Sequence, residues 1–191
     1  PERIKRVSGA LLAGQTVRYW SPWPVAGEPP AGVKKADPPE AADFALTLTP
    51  QGGALHLVPR IGVLGVGCRR GTTARQLEEA FAAFCAASGL SPAAVCAAAS
   101  IDLKKDEPGL AAFCKAHGWP ITFYPADELR AVPGQFTPSA FVASVTGVDN
   151  VCERSAVKAS GGTLLLPKTA GGGVTLALAV RPFAPDWRTE Q

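Results

Sequence analysis

Methionine is absent from the 191 residues, and histidine and tyrosine occur only twice each. A chain that begins at Pro1 without any Met is expected to be a fragment of a longer protein, with an N-terminal portion missing. His56 alternates with Leu55 and Leu57 and so points away from them, while His117 sits at a helix end, where it favours the dipole. No Ser-His-Asp order or Cys-His pairing is evident, so no hydrolytic triad is proposed. The five cysteines, Cys68, Cys85, Cys96, Cys114 and Cys152, form an odd count with no C-x-x-C. That pattern argues against a disulfide framework and a zinc site, and predicts reduced thiols. No signal peptide and no apolar run of about 20 residues occurs, so a cytoplasmic location without membrane contact is expected. The net charge of +3 comes without a basic tract or an aromatic-rich recognition motif, so nucleic acid is not an expected partner.

What is present is an ordinary globular composition, 47% hydrophobic. A chain of this size can bury about 70% of its unfolded surface and needs neither disulfides nor metal to fold. Residues 1–59 differ in pattern from the rest. A helical turn over 8–14 stops at Gly14, a short strand follows at 16–20, and six prolines between Pro22 and Pro39 predict an irregular loop. The alternating Phe44–Thr49 and the run Ala54–Val58, joined by Gln51-Gly-Gly53, predict a β-hairpin. This stretch is expected to be a small β-rich module.

From residue 60 the pattern is α/β. Ile61–Val66 is a continuous apolar run, as in a buried central strand. Leu77, Ala80, Phe81, Phe84 and Cys85 share one helical face, opened by a Thr73/Gln76 capping box and ended by Gly89. Cys85 and Cys114 lie beside Phe84 and Phe113, where Cys acts as a small apolar residue. Further strands are predicted at 95–103 and 121–124, and helices around Leu110–Cys114, at 126–130, 139–145 and 150–159. Closing strands at 163–166 and 174–180, joined across Gly171-Gly-Gly173, suit an antiparallel pair. The fold class is therefore α/β: a three-layer domain over 60–182 with a mixed, mostly parallel sheet, preceded by the β-rich module and followed by a frayed polar tail at 183–191.

Two blocks each follow a strand-like run and lead into a helix: Gly65-Val-Gly-Cys-Arg-Arg-Gly-Thr72 and Ile101-Asp-Leu-Lys-Lys-Asp-Glu-Pro-Gly-Leu110. Loops at the carboxyl ends of strands form the ligand crevice of open α/β sheets. The cations there, Arg69, Arg70, Lys104 and Lys105, predict an acidic ligand. The third glycine of a dinucleotide fingerprint would fall on Arg70, and no Gly-Lys-Ser/Thr occurs, so the nucleotide reading is weak. Gly65 and Gly67 let the backbone approach a ligand, and the helix near Thr73 offers free N–H groups to an anion; a plain tight turn with solvated arginines is the alternative. Asp106 and Glu107 suit helix capping ahead of Pro108, or Glu107 acts as a base beside a carboxylate-binding Lys104. Asn150 and Glu153 have capping spacing. Lys168, after Leu166-Pro, stands near a strand terminus or simply on the surface.

These blocks, with Gly147-Val-Asp-Asn-Val-Cys-Glu153 and Leu165-Leu-Pro-Lys168, resemble in this order the CbiG family of cobalamin-biosynthesis proteins. The Phe123 strand, Glu128-Leu129 and Ser139 with Phe141-Val142 fit as well. Residues 60–180 resemble the family's C-terminal domain, shared with the shorter CobE. Residues 1–59 resemble its middle module through Ala13-Gly-x-x-Val17 and Leu57-Val-Pro-Arg60, which CobE lacks. The resemblance implies opening of the δ-lactone of cobalt-precorrin-5A with release of acetaldehyde, giving cobalt-precorrin-5B in the anaerobic pathway. Cobalt then belongs to the substrate, and no cofactor or protein metal ligand is required. By the same resemblance Glu107, then Glu153, are the candidate bases. Gly65, Gly67, Cys68, Arg69, Arg70, Lys104, Ser139 and Lys168 are the candidate substrate-binding residues. The cobalt-precorrin is the expected partner; a homodimer and contacts with neighbouring corrin-pathway methyltransferases are left open. The alternatives are a non-catalytic corrinoid carrier of CobE type and an unrelated anion- or nucleotide-binding domain.

Overall fold

The computed structural model describes residues 2–139, 144 and 146–188. The chain divides into two compact units, residues 1–59 with 183–191, and residues 60–182.

The first unit opens with helix α1 (Glu2–Leu12), followed by strands β1 (Val17–Trp20), β2 (Val33–Lys35), β3 (Phe44–Leu46) and β4 (Leu55–Leu57). They form a sheet in the order β2-β1-β3-β4, with every pairing parallel. The β3–β4 hairpin expected from sequence is therefore incorrect. The chain does not reverse at Leu46: the Thr47 hydroxyl first accepts the Thr49 N–H at 3.1 Å, bending the chain away before Gly52 turns it with a φ of 73°. The next strand then enters alongside in the same direction. The proline stretch is also more regular than expected, because Val33–Lys35 lies in a proline-free gap and keeps the N–H groups that pairing with β1 needs. Val17, Tyr19 and Phe44 form the core, with Val7, Ala10, Leu11 and Trp187 packed against them. The tail, expected to fray, contributes Trp187 and Phe183, whose rings meet Tyr19 and Trp23 at centroid distances of 4.8 and 5.1 Å. Aromatic burial outweighs the polarity of its neighbours there.

The second unit contains β5 (Gly62–Cys68), α2 (Ala74–Ser88), β6 (Val95–Ile101), α3 (Pro108–His117), β7 (Ile121–Tyr124), α4 (Ala126–Arg130), α5 (Cys152–Ser160), β8 (Thr163–Gly171) and β9 (Val174–Val180). The sheet order is β7-β6-β5-β9-β8; β5, β6 and β7 are mutually parallel, and β9 is antiparallel to both β5 and β8. The mixed sheet and the closing antiparallel pair agree with the sequence reading. Successive strand residues face opposite sides. Gly65, Gly67 and Thr175 face α5, whereas Val66, Val174 and Leu176 face α2, so helices cover both faces. The capping box of α2 is present and Gly89 closes that helix in a left-handed conformation with a φ of 69°. His117 stacks on Trp119 at 4.2 Å and meets the Glu78 carboxylate at 2.7 Å. The helix predicted over 139–145, with Phe141 and Val142, falls largely outside the described residues. Among the described residues no helix is long and apolar enough to cross a membrane.

Candidate functional site

Because β5 and β6 are parallel, the loops that follow them leave the sheet at the same edge. Glu107 occupies the N-cap position of α3, yet its side chain makes no capping bond there. Its carboxylate instead crosses to the other loop, where Oε2 accepts the Gly71 N–H at 2.8 Å, while Oε1 accepts from Lys104 Nζ at 3.3 Å. Gly109 completes this join: a Cβ on it would lie 2.0 Å from the Thr72 carbonyl oxygen, so only glycine lets α3 start against the loop. Gly71 itself turns with a φ of 75°. Glu107 is thus a staple between the two loops that carry the cations.

The Gly71 N–H is the main reason the Glu107 carboxyl titrates below its ordinary value of 4.5; burial opposes this, and Lys104 and Arg70 add to the lowering. A depressed carboxyl stabilises the fold above its unfolded pKa and loses that contribution as pH falls through its folded value. The stability gap between wild type and Glu107→Gln is therefore expected to shrink as pH drops below 4.5. Urea unfolding from about pH 7 down to about pH 3 checks this, and a gap that stays constant would contradict the staple.

The candidate cations divide into two kinds. Lys104 is half-buried and paired with Glu107. Arg69, Arg70 and Lys105 are exposed and, among the described residues, have no ion-pair partner within 4 Å. Arg69 is fixed by its backbone, whose N–H donates to the Gly173 carbonyl at 3.0 Å and whose carbonyl accepts the Thr72 hydroxyl at 2.8 Å. The anion site read at the start of α2 is partly closed by its own cap, since the Gln76 N–H donates to the Thr73 hydroxyl and the Thr73 N–H to Gln76 Oε1. Cys68, at the end of β5, has its thiol pushed above the ordinary value by burial, with Lys104 acting in the other direction. It stays protonated at neutral pH and is a weak nucleophile there.

A second constellation surrounds Glu153 in the first turn of α5, where it is fully buried. Its carboxylate accepts the Thr137 N–H at 2.8 Å, the Thr137 hydroxyl at 3.0 Å, the Asn150 amide at 2.7 Å and the Lys168 N–H at 2.6 Å. Asn150 Oδ1 accepts the Glu153 N–H at 2.8 Å, so the capping spacing read from sequence is realised and doubled by a side-chain bond. Lys168 Nζ donates to the carbonyls of Thr137 and Pro138, at 3.0 and 3.5 Å. Ser139 donates its N–H to the Asp149 carbonyl at 2.9 Å. One buried carboxylate therefore joins the 137–139 segment, the start of α5 and strand β8.

Gly65 and Gly67 of the first block lie where a neighbouring segment packs closely. A Cβ on Gly65 would lie 1.8 Å from the Cys152 carbonyl oxygen, and one on Gly67 would lie 2.4 Å from Thr175 Oγ1. Cys152, the first residue of α5, has its thiol raised to about 11 by burial. The sequence reading missed Gly109 and Arg154. Arg154 pairs with Asp149 at 2.9 Å, donates to the carbonyls of Leu129, Arg130 and Val132, and lies over the Phe136 ring at 4.6 Å. Its position next to the buried Glu153 was a signal for Arg154; Gly109, one residue beyond Pro108, had none.

Residues 62–179 match the family model for the cobalamin synthesis G C-terminus. The chain belongs to this family. A cobalt-precorrin-5A hydrolase from Priestia megaterium is 36% identical over 126 residues, which are 65% of this chain and 33% of that protein. The chain thus spans about a third of the length of that relative. Protein CobE from a Sinorhizobium species is 32% identical over 120 residues, 61% of this chain and 78% of CobE. The crystal structure of CobE, a protein from the cobalamin (vitamin B12) biosynthetic pathway, superposes with a TM-score of 0.58 at 33% identity, over 64% of this chain and 92% of that one. Family and relatives tie the domain to cobalamin biosynthesis. They remove the reading of a nucleotide-binding domain outside that pathway.

Proposed function

We propose that this chain is part of a cobalt-precorrin-5A hydrolase, and that its loop edge holds the macrocycle while the δ-lactone opens and acetaldehyde leaves. The observation that carries this reading is the group of exposed, unpaired cations, Arg69, Arg70 and Lys105, on loops stapled together by Glu107. Such a macrocycle is edged with acetate and propionate groups, and forked guanidinium donors suit carboxylates. Cobalt enters as part of the substrate.

Glu107 is the first candidate base. Its pKa, lowered first by the Gly71 N–H and further by Lys104, makes it a weak proton acceptor at rest, and losing Lys104 relieves part of that lowering. A substrate carboxylate that draws Lys104 away would leave Oε1 free to take a proton from the attacking water or hydroxyl, and Lys104 would then steady the developing carboxylate. Glu153, closed by four donors, is the second candidate; its bonds favour holding Thr137 and Lys168 in place. Ser139 and Lys168 sit beside it.

A second reading is a corrinoid-holding domain without chemistry. Coverage of 92% of the CobE structure favours it, as do the four hydrogen bonds that engage the Glu153 carboxylate.

The deciding experiment is anaerobic incubation of the chain with cobalt-precorrin-5A, with acetaldehyde followed by a coupled dehydrogenase and binding by the corrinoid spectrum. Release of acetaldehyde, reduced about 10²- to 10⁴-fold in Glu107→Gln, is the expected result. Binding without release would support the holding domain. An unaffected Glu107→Gln would remove that residue as the base.

A further inference from the structure

Strands β5 and β9 are antiparallel, and Gly67 stands opposite Thr175. The Arg69 N–H extends this ladder to the Gly173 carbonyl at 3.0 Å. By strand alternation Gly67, Gly173 and Thr175 share the face on which α5 packs. The Arg69 side chain lies on that face too, since a Cβ on Gly173 would come within 2.9 Å of its Cδ and 3.1 Å of its Nε. The cover from α5 stops short of these residues. A Cβ on Gly65 would meet the Cys152 carbonyl oxygen at 1.8 Å, whereas the three heavy atoms nearest to a Cβ on Gly67 all belong to Thr175. The three nearest to one on Gly173 all belong to Arg69. Gly67, Gly173 and Thr175 are accordingly half-buried, while Val174 and Leu176 on the other face are buried. Two bare glycines thus leave a step at the end of the sheet, topped by one hydroxyl and one guanidinium.

Both groups are loosely engaged. The Thr175 hydroxyl donates to the Gly67 carbonyl at 3.4 Å, beyond the usual O–H···O range of about 2.5–3.0 Å. Its other hydrogen-bond neighbour is the Cys152 thiol, a weak partner. Among the described residues Arg69 has no ion-pair partner within 4 Å, whereas Lys104 is held by Glu107. Gly67 and Gly173 are diagonal cross-strand neighbours, and such positions lie about 7–8 Å apart, within reach of long side chains. A carboxylate that accepts a hydrogen bond of about 2.8–3.0 Å at each oxygen bridges a gap of that order. We infer that this step is a carboxylate subsite, in which Arg69 and the Thr175 hydroxyl hold one peripheral carboxylate of the macrocycle between them. The inference rests on the functional reading above. It adds Thr175 as a binding residue and places that carboxylate on the α5 face of the sheet.

The probe for the test is cobyrinic acid, an air-stable cobalt corrinoid with free peripheral carboxylates. Cobinamide, whose peripheral groups are amides, is the control. Binding to the 191-residue chain is titrated by the corrinoid spectrum. Thr175→Val keeps the side-chain shape and removes the hydroxyl, Thr175→Ser keeps the hydroxyl, and Arg69→Gln removes the charge. Retained circular dichroism and melting temperature establish that each variant is folded; Thr175→Ala replaces Thr175→Val if the latter is not. The expected result is that wild type prefers the acid to cobinamide. Thr175→Val and Arg69→Gln should each weaken the acid about tenfold, as for one hydrogen bond to a charged group, and leave cobinamide unchanged. Thr175→Ser should stay within about twofold of wild type. The double variant should be no more than about twofold weaker than the weaker single one, because one carboxylate cannot be released twice. If the Thr175 variants bind the acid as wild type does, or if the two effects multiply, there is no shared subsite, while the functional reading survives. Equal loss of acid and cobinamide in Thr175→Val would assign Thr175 a structural role and overturn the inference. If wild type binds neither probe, both the inference and the functional reading fall.

Discussion

Replacing Glu153 by alanine is expected to cost the second unit about 1–3 kcal/mol of stability, the range seen when a buried polar group loses its hydrogen-bond partner. The carboxylate is fully buried and accepts four hydrogen bonds, from Thr137 twice, from Asn150 and from Lys168. Deleting it leaves the buried Asn150 side chain without that partner and releases the half-buried hydrogen bonds from Thr137 and Lys168. A buried donor left without a partner loses about 1–3 kcal/mol. Glu153→Gln should cost less, because it keeps one acceptor oxygen while turning a donor toward groups that are themselves donors. Urea unfolding of the two variants measures both effects. A loss below about 1 kcal/mol in Glu153→Ala would mean that water takes over the carboxylate's place, and that the 137–139 segment is not held through this residue.

Gly65→Ala is expected to be comparably damaging, for a steric reason. Its Cβ would stand 1.8 Å from the Cys152 carbonyl oxygen and 2.7 Å from the carbonyl carbon, both of them backbone atoms. No rotamer change relieves such a contact, so α5 must lift from the sheet. Overpacking usually costs about 1–3 kcal/mol and more where backbone has to shift; the upper part of that range or beyond is expected here. Lifting α5 also moves Glu153 and thereby Lys168 and Thr137. Gly65→Ala should therefore lose thermal stability and, on the proposed function, corrinoid binding with it. A variant as stable as wild type would show that the close approach of α5 to β5 is not maintained.

Much of the second unit could be read directly. The apolar run Ile61–Val66 falls within one residue of the start of β5, and the Thr73/Gln76 capping box and Gly89 mark the two ends of α2, because short-range signals such as caps and left-handed turns act within a few residues. The first unit was harder. Whether Phe44–Leu46 and Leu55–Leu57 pair parallel or antiparallel depends on how the chain bends at Thr47 and Thr49, and a Gly-Gly turn is compatible with both. Trp187 and Phe183 lie in a polar tail whose composition says nothing about the aromatic cluster waiting for them.

The charged residues read onto the two strand-to-helix loops do lie on those loops, but how they pair was not visible. Glu107 and Lys104, three apart, had an obvious local relationship; the Gly71 N–H that Glu107 also holds is 36 positions away. Gly65 and Gly67 look like ligand-approach glycines in a one-dimensional reading, whereas α5 and Thr175 occupy the space their side chains would need. By itself the sequence determined the α/β pattern, the strand-to-helix loops, their surplus of cations and the resemblance to a corrin-pathway family. Those properties reside in local periodicity, composition and motif order. Only the tertiary structure decided which of these cations pair with a carboxylate and which carboxylates join distant segments. Each of those depends on contacts between segments distant in the chain, whose geometry is set by the packing of helices on the sheet.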